Sequence, residues 1–204
     1  MEIITQKRRK PKKFGNFGEN LSVEFNTYEI EGLVSFKSKV FGDSRGYFFE
    51  SYNKQQLLPI LGDLEFVQDN QSLSQKGVLR GLHFQKPPYA QGKLVRVIKG
   101  AALDVAVDIR EGSPTYGQYV KVLLSESNFM NFWIPPGFAH GFLAMEDDTI
   151  FSYKCTEFYN ADSEDALLWN DPDINIDWGV DNPIISEKDN EAQPLNLFKS
   201  PFKL

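Results

Sequence analysis

Cysteine and histidine are the scarce residues of this chain. Of its 204 residues one is cysteine, Cys155, and two are histidine, His83 and His140. A single cysteine excludes an intramolecular disulfide, so the fold is no disulfide scaffold and a reducing compartment is expected. So few thiols and imidazoles also argue against a zinc centre. Long apolar runs are missing: none approaches the ~18 residues of a membrane-spanning helix, and the charged N-terminus has no apolar core of a secretory signal. A soluble, cytoplasmic protein without a membrane partner is expected. Positive charge is in overall deficit beyond the first twenty residues. Residues 1–20 carry Lys7, Arg8, Arg9, Lys10, Lys12 and Lys13 against Glu2 and Glu19, a net +4 that leaves −10 on residues 21–204. So acidic a body excludes nucleic-acid binding as the function of the whole protein. The basic segment lacks apolar periodicity and reads as a disordered extension. Residues 21–204 are expected to form one domain around one core.

What the chain does have is short, aromatic, strand-like sequence, with 17 Phe and 8 Tyr. Strands are predicted over Val34–Phe41, Gly46–Tyr52, Phe66–Ser72, Lys93–Ile98, Leu103–Ile109, Tyr119–Leu124, Phe132–Ile134, Gly141–Ala144 and Ile150–Thr156, each of ordinary strand length. Only Lys54–Leu61 and a C-terminal piece near Ser186 read as helical. Leu103–Ile109 alternates, with Asp104, Ala106 and Asp108 on one face and Leu103, Val105, Val107 and Ile109 on the other. One face is core and the other can line something polar. Many strands without intervening helices predict an all-β jelly-roll barrel or sandwich with a few short helices.

The chemistry concentrates in Gly77–Gly100, where Arg80 and Lys93 flank His83 in half-buried sequence. Cations there call for an anionic ligand, and a lysine beside a basic histidine lowers its pKa and can stabilise charge forming on a substrate. In FGDSRGYFFE, Arg45 can meet a phosphate and Phe48 a base, yet the same residues suit an ordinary hairpin. Gln68-Asp69-Asn70 suits hydrogen bonding to a sugar as well as capping of a turn. Tyr153 can be a proton donor or a rim tyrosine. Ser186-Glu-Lys-Asp189 has the form of a capping box. The Pro-x-Gly-x-x-His spacing that ends at His140 resembles the second motif of cupin jelly rolls. Where metal-binding cupins supply His-x-His, this chain reads His83-Phe84-Gln85, so no metal is expected.

From about Ser35 to Leu195 the sequence resembles the dTDP-4-dehydrorhamnose 3,5-epimerase family. The segments that carry the resemblance are FGDSRGYFFESYN, FVQDNQSLS, GVLRGLHFQ, QGKLVRVIKG, DVAVDIREGSPTYGQ, WIPPGFAHGF, YKCTEFY and LLWND. It implies cofactor-independent epimerisation at C3 and C5 of dTDP-4-keto-6-deoxyglucose, with a mono-epimerase or a non-catalytic sugar-nucleotide binder as alternatives. It makes His83 the base, Asp189 its acidic partner, Lys93 the neighbour of the 4-keto oxygen and Tyr153 the proton donor. Arg45, Phe48, Glu50, Gln68, Asp69, Asn70, Arg80, His140, Tyr159, Glu164 and Lys188 fall at positions of substrate contact. Phe158 departs from relatives that carry a second tyrosine. The resemblance also implies a homodimer.

Overall fold

The structure, a computed structural model, describes residues 23–204, so the basic segment 1–20 lies outside the described residues. The described strands are β1 (Val23–Thr27), β2 (Val34–Ser38), β3 (Val40–Asp43), β4 (Gly46–Phe49), β5 (Gln68–Ser74), β6 (Leu79–Gln85), β7 (Lys93–Lys99), β8 (Ala101–Asp108), β9 (Tyr119–Ser125), β10 (Met130–Ile134), β11 (Phe138–Ala144), β12 (Thr149–Cys155) and β13 (Glu164–Ala166). Helix is confined to α1 (Lys54–Leu61), α2 (Glu187–Asn190) and a 3-10 turn at Leu195–Leu197. Asn53 caps α1 by accepting the Gln56 amide, and Gly62 ends it at φ 82°, a conformation glycine adopts without strain.

Two antiparallel sheets face each other in a cupin-like jelly roll. One runs β1-β2-β10-β7-β12-β5 and the other β13-β6-β11-β8-β9. Between them Val95, Val97, Phe132 and Phe151 pack on Ala106, Leu124 and Phe142, with the Phe142 and Phe151 rings stacked at 4.0 Å. Each of the larger side chains contributes roughly 1.5–3 kcal/mol through burial. Both outer faces are covered as well. Leu57 of α1 packs on Leu94 and Trp133, while Trp178, Phe198 and Phe202 of the C-terminal segment pack on Leu82, Phe84, Val105 and Val107.

Double coverage explains where sequence expectation and structure part. β11 is buried at all seven positions, and alternation vanishes from a strand buried on both faces. The expected strand Val34–Phe41 divides into β2 and β3, the one expected from Phe66 begins at Gln68, and β1, β6 and β13 are additional. The C-terminal helical piece shrinks to one turn in α2, the rest being an irregular strap. In Leu103–Ile109 the alternation holds, but Asp104 and Asp108 are fully buried. Asp108 lines no ligand space. It accepts from Arg110 Nε at 2.8 Å and from the Ser113 and Thr115 hydroxyls at 2.6 Å.

Candidate active site

The site forms where β6 pairs with β11. A Cβ on Gly81 would lie 2.5 Å from the Gly141 Cα, and Gly81 has φ 136°, so only glycine fits. The ladder shifts between His140 and Phe142, and His83 and His140 become cross-strand partners. Each imidazole meets a carboxylate through Nε2. His83 lies 2.7 Å from Asp189 Oδ1, and His140 lies 2.9 Å from Asp104 Oδ2.

Asp189 comes from α2, which the strap brings over the sheet. Ile184 exchanges backbone bonds with Gly77 and Leu79, and the Gln193 carbonyl accepts the Leu168 amide. The Ser186 hydroxyl accepts the Asp189 amide at 3.1 Å, so one arm of the capping box forms, while the Asp189 carboxylate that would make the other arm is engaged elsewhere. The same residue also serves the site, its Oδ2 accepting the Gly81 amide at 3.3 Å. Burial pushes the Asp189 carboxyl up, but hydrogen bonds from His83 and Gly81 outweigh it and hold the group below its ordinary value. In the second pair burial raises Asp104 and lowers His140, both toward an uncharged pair.

The facing sheet supplies the other groups. Lys93 begins β7 and its Nζ donates to the His83 carbonyl at 3.5 Å. Among the described residues it makes no ion pair. Burial lowers its pKa, opposed by Cys155, Asp104 and Glu164. Tyr153 of β12 packs beside the inner core. Burial raises its hydroxyl pKa and Arg80 pulls it back. Beside it on β5, Gln68 Nε2 donates to Asn70 Oδ1 at 3.0 Å. At the rim the Tyr159 hydroxyl donates to Glu164 Oε2 at 3.0 Å, and Lys188 Nζ reaches the same oxygen at 2.5 Å.

Some expected residues stand elsewhere. Arg80 is exposed, not half-buried, and donates from Nε to Ser74 Oγ at 3.1 Å. Asp69 points away from Gln68 and Asn70 and pairs with Lys154 at 2.8 Å. Arg45 and Phe48 lie on the separate β3-β4 hairpin, and Glu50 follows it. Phe49 of that hairpin packs under the Arg96 guanidinium, on the face of β7 opposite to Lys93, Val95 and Val97. The hairpin therefore packs on the outer face of that sheet, away from the histidines of its own chain. Gln85 stands where a metal-binding cupin has its second histidine, and its amide is engaged by backbone. Sequence reasoning passed over Gln85, although the missing histidine marked its position. Among the described residues no group of three or more His, Cys, Asp or Glu could hold a metal ion, and no helix is long and apolar enough to cross a membrane.

Two sheets enclosing a histidine–carboxylate pair opposite a lysine and a tyrosine define a cupin-type jelly roll furnished for proton transfer. A family model described as dTDP-4-dehydrorhamnose 3,5-epimerase matches residues 27–196. A protein of that name from Shigella flexneri is 53% identical over 166 residues, 81% of this chain and 92% of its own. The crystal structure of a dTDP-6-deoxy-D-glucose-3,5-epimerase from Legionella pneumophila, in complex with dTDP-4-keto-L-rhamnose, is 47% identical. It covers 87% of this chain and 95% of that one at a TM-score of 0.83. A 3'-monoepimerase from Streptomyces bikiniensis in complex with dTDP-quinovose is 32% identical over 83% of this chain and 86% of its own, with a TM-score of 0.79. The chain belongs to the dTDP-4-dehydrorhamnose 3,5-epimerase family.

Proposed function

We propose that this protein epimerises dTDP-4-keto-6-deoxy-D-glucose at C3 and C5, giving dTDP-4-keto-L-rhamnose. The observation that carries this reading is the placement of His83, paired with Asp189, on one wall of the barrel while Lys93 and Tyr153 stand on the other. Both carbons are alpha to the C4 ketone, so loss of either proton gives an enolate with its charge mainly on the C4 oxygen. His83 takes the proton, and Asp189 holds the ring and stabilises the imidazolium. Lys93, a half-buried cation that makes no ion pair among the described residues, stabilises the enolate oxygen. Tyr153 returns a proton from the opposite wall, which inverts the centre.

Gln68, Asn70, Arg80, His140, Tyr159, Glu164 and Lys188 supply the contacts to the sugar and nucleotide. Arg45, Phe48 and Glu50 lie on or beside the hairpin that packs away from the histidines of its own chain, with Phe48 67% exposed. In a homodimer they would serve the partner's site, and we assign them that role. Residues 21–204 act as one catalytic domain, in the cytoplasm.

The test is NMR of dTDP-4-keto-6-deoxyglucose with the protein in deuterated water. Deuterium at both C3 and C5, with an L-sugar trapped by a reductase, is expected. Label at one carbon alone would make it a mono-epimerase, and nucleotide-sugar binding with no label would make it a binding protein.

A further inference from the structure

Gln85 is 4% exposed, and its side chain spends its hydrogen bonds on backbone rather than on any space between the sheets. Nε2 donates to the carbonyls of Tyr89 at 2.7 Å and Phe158 at 3.1 Å. Oε1 accepts the Asn160 amide at 2.8 Å. Both N–H donors and one acceptor position are thereby occupied. The intervening residue, Tyr159, donates its own amide to Gln68 Oε1 at 2.9 Å. Three successive backbone groups are thus held by two glutamines. Gln85 belongs to one sheet and Gln68 to the other, so the loop is clasped across the mouth. What the clasp displays is the Tyr159 side chain, 57% exposed, with its hydroxyl already tethered to Glu164.

We propose that Gln85 is a positioning residue: its clasp on the loop holds the Tyr159 ring preformed at the rim of the nucleotide site. The proposal rests on the reading of the site as one for a dTDP-sugar. A ring whose backbone and hydroxyl are both anchored gives up little freedom when a nucleotide packs on it, so the clasp acts on binding rather than on proton transfer.

The experiment compares Gln85→Asn, which is too short to reach both carbonyls, and Gln85→Met with Tyr159→Leu and the Gln85→Asn/Tyr159→Leu double variant. Affinity for dTDP is measured by calorimetry, and kcat and KM by deuterium uptake. Each single variant is expected to weaken dTDP binding and raise KM about tenfold while kcat stays within about twofold. Because both act through one ring, the double variant should be no more than about twofold worse than either single. Additive losses, or a fall in kcat with dTDP affinity intact, would overturn the proposal. Unchanged dTDP affinity in Tyr159→Leu would overturn it without reference to Gln85. Wild-type protein that binds dTDP yet takes up no deuterium would sink the epimerase reading and leave the clasp standing.

Discussion

His83 and His140 are cross-strand partners on β6 and β11, and each points Nε2 at its own buried carboxylate. The pairing depends on the approach of Gly81 to Gly141. Gly81→Ala must place a Cβ against backbone at a φ that L-residues avoid. A loss of about 3 kcal/mol or more in urea denaturation is expected. A loss within about 0.5 kcal/mol would mean the close approach of the two strands relaxes freely.

Asp189→Asn keeps the shape of the pair but removes the charge that stabilises a protonated His83. Deuterium uptake at C3 and C5 should fall about 10²–10⁴-fold with KM little changed. A decrease below tenfold would assign Asp189 to structure alone.

Lys93 is a half-buried cation that makes no ion pair among the described residues, and desolvation disfavours its charged form, so it costs stability. Lys93→Met should leave the melting temperature unchanged or higher while lowering deuterium uptake about 10²–10³-fold. A protein that melts earlier and still exchanges at the wild-type rate would contradict the role given to Lys93.

Tyr153→Phe removes a hydroxyl and no ring. Deuterium exchange should persist within about tenfold while inverted product falls about 10²-fold or more. Equal loss of the two would give Tyr153 another task.

Asp108 supplies the pH test of the fold. Burial pushes its carboxyl up, but Arg110, Ser113 and Thr115 together hold it at about 2 against an ordinary 3.8. The folded state therefore binds that proton less readily than the unfolded chain does. The stabilisation is complete above pH 3.8, fades as pH falls toward about 2, and amounts to roughly 2 kcal/mol. Asp108→Asn should be less stable than wild type at neutral pH, with the gap narrowing between pH 4 and about 2. A gap that stays constant across that range would show that the carboxylate's charge is not what is lost.

Much of this protein was legible in its residues. Helix α1 falls on Lys54–Leu61 as predicted, because its cap is local: Asn53 reaches the Gln56 amide three residues on. The all-β character, the proximity of Lys93 to His83 in sequence and the absence of a second histidine at Gln85 could be read from composition, period and motif, whereas Tyr153 was singled out as the donor only by the family resemblance. Tertiary structure decided what depends on convergence. Asp189 meets His83 across 106 residues and Asp104 meets His140 across 36, and as a bare motif Ser186–Asp189 is a helix cap. Strand alternation could not say which face is interior, since helix and strap cover the outer sides of both sheets. Nor could it say that the hairpin of Arg45 and Phe48 folds against the far side of β7, or that Gln85 and Gln68 meet around Tyr159. Local hydrogen bonds and periodicity act over a few residues and are written in sequence. Contacts between sheets depend on the packing of both cores together, and only the folded chain specifies them.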